Sequence, residues 1–226
     1  MSTSSLAAAS LVALAAVALF LAVLVLLRFR KEGRRSHLYW GVGLLLVFVT
    51  LAQEVVLYIG VWSEPFVQTY LILVALLVSI LSLGSAELSL KGRWKASWFA
   101  FVIVTGVALT VVGFLYTVPS SIVVDGVVSG SAPTPILLVS SIVTFPAAAL
   151  LVGSSLYGAI WQKQRHLLFI TFGTLVIAAA GALYLVSVPV TLYYAEFVGV
   201  ALLFLGFVRI PLLRPSAESP APGPAA

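Results

Sequence analysis

The chain has no cysteine, and only 8% of its 226 residues are charged. The first absence excludes disulfides, thiolate metal sites and a cysteine nucleophile, and it leaves the redox compartment unreadable. The second says more. Soluble domains carry about 25% charged residues, and a chain that is 62% hydrophobic has too little polar surface to cover a water-soluble globule. Lys and Arg are missing from every apolar run except near the run's end. That rules out a Schiff-base lysine and an arginine-rich voltage sensor. No HExxH helix, GxSxG elbow, P-loop or Asp-rich prenyl-diphosphate motif occurs, so the sequence offers nothing that spells an enzyme.

What is present is a succession of apolar runs, each close to the roughly 20 residues that cross a hydrocarbon core as a helix. They lie near 6–27, 38–59, 66–88, 96–118, 135–160, 167–188 and 190–210. The fold class is therefore all-α, a polytopic membrane protein of seven transmembrane helices in one domain, residues 1–214. The first run is uncharged, has no basic residue before it, and is too long for the apolar core of a secretory leader. It reads as a transmembrane helix. Residues 215–226 are rich in Pro and Ala, too poor in apolar bulk to fold, and are expected to be disordered.

The basic residues set the expected orientation. Arg28, Arg30, Lys31, Arg34 and Arg35 fill the first connection. Lys91, Arg93 and Lys95 belong to the third, Lys163 and Arg165 to the fifth, and Arg209 and Arg214 to the tail. Together they are all 12 Lys and Arg in the chain. Under the positive-inside rule the N-terminus is outside and the C-terminus cytoplasmic, which suits the plasma membrane of a prokaryote. The net charge of +5 thus sets topology and attracts anionic lipid rather than nucleic acid. Trp94, Trp98 and Trp161 fall at the inner boundary, and Trp62, Tyr116, Tyr193 and Tyr194 near the outer one, as interfacial aromatics do.

The longest outer connection, between the fourth and fifth runs, contains Ile122-Val123-Val124-Asp125-Gly126-Val127-Val128. Two β-branched stretches around Asp-Gly predict a short β-hairpin with a type I′ turn, lying over the outer mouth of the bundle. Pro146 falls inside the fifth run and removes one backbone hydrogen bond. Small residues four apart (Ser82 and Ala86, Ala149 and Gly153, Ser154 and Gly158, Ala195 and Gly199) read as close helix contacts.

Among the acidic residues, Glu32, Glu64, Asp125 and Glu218 fall in connections or the tail. Glu87, four residues before Lys91, reads as a helical ion pair. Glu54 and Glu196 remain, the two carboxyls within apolar runs. At 1.5 Å per residue both lie roughly 7–9 Å below the outer boundary. Glu54 is flanked by Gln53, Thr50 and Tyr58, and Glu196 by Tyr193 and Gly199. If the seven helices close as a ring, the second and seventh both flank the first and the two carboxyls face each other. Two carboxyls in one dry site do not both ionise cheaply, so such a pair would share a proton. The site then binds a proton, a cation or a polar ligand. The plain alternative is a carboxyl that bonds across helices as structural glue.

His37 and His166 are the two histidines, each opening a run that starts from the inner side. Imidazole ligates haem iron, but both fall in the headgroup zone, so neither haem nor another cofactor is expected.

The stretches HLYWGVGLLLVFVTLAQEVVLYIGVW, TYLILVALLVSILSLGSAEL and YYAEFVGVALLFLGF resemble a family of small, uncharacterised prokaryotic seven-helix membrane proteins. The likeness rests on Glu54, Trp62, Tyr70, Gly84, Glu196 and Gly199. It implies the seven-helix architecture and no activity. The orientation resembles that of microbial rhodopsins, but Glu196 stands where that family needs its lysine. Two functions stay open: a transporter, channel or ligand-binding protein that uses the carboxyl pair, or a non-catalytic subunit or sensor packed against partner membrane helices or a second copy of itself.

Overall fold

The computed structural model describes residues 3–61, 63–124, 127–128, 132–161, 163, 167–183, 198–203 and 205–206. Helix dominates throughout. The helices are α1 (Thr3–Glu32), α2 (Arg35–Tyr58), α3 (Glu64–Ser89), α4 (Gly92–Leu115), α5 (Thr134–Ile160) and α6 (Leu167–Leu183), and residues 198–203 and 205–206 are helical as well. The first five are long and apolar enough to cross a membrane. In a medium without water, helix formation is obligatory for such runs, because each backbone N–H and C=O must find its partner inside the segment.

The helices end where the sequence stops supporting them. Between α1 and α2 the chain reverses at Gly33, in the left-handed region at φ 66°, and between α2 and α3 at Gly60, φ 84°. A side chain is disfavoured in that region, which glycine enters freely. Pro65 opens α3 in its first turn, where a missing N–H costs nothing. Such short reversals make α1, α2, α3 and α4 successive antiparallel neighbours.

The outer surface is apolar. Phe145, Leu115, Val104 and Ile103 are among many large side chains left exposed, far beyond what a soluble monomer tolerates as a contiguous patch. The described basic residues gather at the other boundary, at the α1–α2 elbow, the α3–α4 elbow and the end of α5.

Packing departs from a ring ordered by sequence. α3 packs on α2, on α4 and directly on α5, and α4 packs on the flank made by α3 and α5. The reason lies in side-chain size. Val102, Gly106, Leu109 and Gly113 form the buried stripe of α4, one face at helical spacing, and Ile72 and Leu76 of α3 reach over Gly113 and Gly106. α3 itself buries Ala75, Ser79, Ser82, Gly84 and Ala86, small enough to admit neighbours on several sides. The indole of Trp98 donates to Ser82 Oγ at 3.2 Å, and that hydroxyl donates to the Ser79 carbonyl at 2.6 Å. Ser155 of α5 and Thr171 of α6 share a buried hydroxyl bond of 2.8 Å. A central cluster unites α1 (Leu21, Ala22, Val25), α2 (Trp40, Leu44), Leu81, Leu151, Ile170 and Leu203.

Two local expectations are corrected. Glu87 pairs with Lys95 at 3.1 Å and not with Lys91, because α3 stops at Ser89, Leu90 is extended, and Lys91 precedes α4. The i, i+4 geometry that the pair needed does not exist there. Ala149 and Gly153 point outward, and a methyl at Gly153 would meet nothing within 4 Å. Among the described residues that small pair makes no helix contact.

Candidate functional site

The site is built where α2 ends and α3 begins. In a tight helical hairpin, residues at similar distance from the reversal come level, and Glu54 and Tyr70 stand on opposite sides of Gly60. Tyr70, buried on α3, donates its hydroxyl to Glu54 Oε1 at 2.6 Å, within the short range of hydroxyl–carboxylate bonds. The other carboxyl oxygen, Glu54 Oε2, is buried with no hydrogen-bond partner. So is Gln53 Oε1 on the adjacent residue. These side chains diverge on the helix and do not serve each other. Leaving a buried acceptor unmet costs about 1–3 kcal/mol.

Thr50 turns its hydroxyl back to the Val47 carbonyl at 3.0 Å and leaves Glu54 alone. Tyr58, one turn beyond Glu54, is half-buried. Glu196 and Tyr193 lie outside the described residues, and with them the expected carboxyl pair.

The same end of the bundle is closed by the connection from α4 to α5. Val118 donates its N–H to Glu64 Oε1 at 2.9 Å, and Gln68 Nε2 donates to the Tyr116 carbonyl at 3.0 Å. A 3₁₀ turn, Ser120–Ile122, follows. Then β1 (Val123–Val124) and β2 (Val127–Val128) pair antiparallel, Val123 opposite Val128 and Val124 opposite Val127. Val118, Ile122 and Val128 are buried together with Leu57, Val67 and Tyr70. The connection therefore rests on the very residue that binds Glu54.

At the other end, His37 is buried at the α1–α2 elbow. Its Nδ1 lacks a hydrogen bond and stands 3.9 Å from Glu32 Oε2, while Arg34 Nε is 3.4 Å from that same oxygen. By helix rise His37 is about 26 Å from Glu54. His166 lies outside the described residues. Among the described residues no three of His, Cys, Asp and Glu converge as a metal site.

Sequence reasoning found Glu54 and Gln53 but did not assign Tyr70 to them. The signal was available: both residues lie within a few turns of one short reversal. Glu64, which the sequence places in a connection, and Gln68, which nothing in the sequence singles out, tie down the α4–α5 connection. No known protein family, curated protein or solved structure matches the chain.

Proposed function

We propose that the protein is a seven-span protein of a prokaryotic plasma membrane, with its N-terminus outside and its C-terminus cytoplasmic. In this reading it binds a proton, cation or polar ligand at Glu54 near the outer boundary, as a transporter, channel or ligand-binding protein. One observation carries the reading: a carboxyl inside an apolar helix, held at one oxygen by Tyr70, keeps its second oxygen buried and unmet. Carboxyls within membrane helices are costly and tend to mark functional sites. Pure glue would use both oxygens. Glu196 joins the site from the last span in this proposal, and the β1–β2 connection lies over its outer mouth.

The test is uptake or binding by the purified protein in vesicles across a range of pH. The reading predicts a pH-dependent signal that Glu54→Gln abolishes. Unchanged behaviour in both Glu54→Gln and Glu196→Gln overturns it.

A second reading, a non-catalytic subunit or sensor, has its own support in α5. Leu138, Ile142, Phe145, Ala149 and Gly153 form one outward stripe whose small residues would admit a partner helix. It predicts a stoichiometric membrane partner, or a second copy, in mild detergent. A monodisperse lone monomer counts against it.

A further inference from the structure

We infer that the elbow between α1 and α2 is a binding site for a phosphate group, formed by Arg34, His37 and the first turn of α2, with Glu32 as the chain's own stand-in for the ligand. The headgroup of an anionic phospholipid and a soluble phosphate ester share this chemistry. Glu54 plays no part in it.

α1 ends at Glu32, Gly33 reverses the chain in the left-handed region, and α2 starts at Arg35. The side chain of the capping residue, Arg34, makes no hydrogen bond to the helix it opens. The leading N–H groups of a helix have no partner within it and carry the positive end of its dipole, so such an end receives anions. His37, in the same turn, makes this end particular. Its side chain is nine-tenths buried and its Nδ1 has no hydrogen bond. That nitrogen faces Glu32 Oε2 across the elbow at 3.9 Å, and Arg34 Nε approaches the same oxygen at 3.4 Å. Both stop short, because N–H···O bonds lie at about 2.7–3.2 Å. Two nitrogens thus converge on one acidic oxygen without bonding to it, and a buried imidazole nitrogen left unmet is costly.

Glu32 is the one acid in residues 28–35, among Arg28, Arg30, Lys31, Arg34 and Arg35. As the last residue of α1 it is also ill placed against that helix's dipole. A phosphate presents oxygens in several directions from one centre. It can take the Arg34 guanidinium, the imidazole N–H and the leading N–H groups of α2 together, which the tethered Glu32 Oε2 does not. Arg28 stands one turn before Glu32 on the same face of α1, and Arg28 and Arg34 both lie within electrostatic reach of His37. The elbow falls at the end of two membrane-length helices, the level of phospholipid phosphates, where basic clusters recognise anionic headgroups. Two like charges do not share the place cheaply. The ligand therefore displaces Glu32, whose side chain is already 44% exposed and turns to water.

The experiment follows thermal stabilisation of the whole protein in neutral detergent, titrated with phosphatidylglycerol in one arm and glycerol phosphate in the other. The expected result is saturable stabilisation that Glu32→Gln tightens by about two- to fivefold. His37→Phe, which keeps a ring in the elbow, weakens it by about tenfold or more, and in the double variant the gain from Glu32→Gln is lost. Lys91→Gln removes one positive charge from the α3–α4 elbow and leaves the affinity unchanged, which separates a discrete site from attraction to net charge. Saturation in the lipid arm alone gives the site to a membrane headgroup, and saturation in both arms gives it to a soluble phosphate as well. Should His37→Phe fail to fold, the tighter binding of Glu32→Gln still decides, because a damaged fold does not bind more strongly. Binding that does not saturate in either arm overturns the inference. So does a Glu32→Gln variant that binds no tighter, or a loss in Lys91→Gln equal to that in His37→Phe.

Discussion

Gly84 and Gly153 both sit within apolar helices, and what a methyl would meet at each is opposite. At Gly84 an added Cβ would stand 2.3 Å from Trp40 Cδ1, and Trp40 is itself in the central buried cluster. A rigid indole cannot yield as the tip of a leucine can. Gly84→Ala is therefore expected to destabilise the α2–α3 contact by about 1–3 kcal/mol, the usual cost of overpacking. Gly153→Ala fills open space and is expected to cost nothing. Thermal unfolding in detergent compares them, and equal midpoints would contradict the packing. The same closeness shows what was legible from the sequence. Glu54 stood out as a lone carboxyl in an apolar run. Tyr70 did not, because a tyrosine between leucines reads as packing until its partner helix is placed. Glu87 was paired with the wrong lysine for a similar reason: the helix end at Ser89 is set by tertiary reversal rather than by a sequence stop.

The α4–α5 connection depends on two side chains of α3. Glu64 Oε1 receives the Val118 N–H and Gln68 reaches the Tyr116 carbonyl, so the connection is tied before the short β ladder begins. Hydrogen bonds to charged groups contribute about 1.5–3 kcal/mol. Glu64→Ala should accordingly raise amide exchange at Val118 by about tenfold or more, with exchange in α4 unaffected. Exchange that stays at the wild-type rate would mean that the apolar contacts of Val118, Ile122 and Val128 hold the connection unaided. The first five helical runs were readable because charge and turn residues bound each one. Their neighbours were not. All the runs are similarly apolar, and the direct α3–α5 contact, which brings Leu81 and Leu151 into one cluster, is concealed by apolar content alone.

The distribution of charge in the whole molecule argues for one orientation. The described Lys and Arg lie at one boundary, while at the opposite one the described acid is Glu64, tied to the connection. Translocating the basic end would carry Arg28, Arg30, Lys31, Arg34 and Arg35 across the bilayer, each strongly disfavoured there. The absence of cysteine makes this testable without a background, because any introduced thiol is unique. Ser63 and Ser89 are exposed at opposite ends of α3. A membrane-impermeant maleimide on intact cells is expected to label Ser63→Cys, and to label Ser89→Cys only after permeabilisation. The reverse pattern would invert the protein and put Glu54 on the cytoplasmic side. The labelling thus decides which face of the membrane Glu54 lies nearer, independently of any activity.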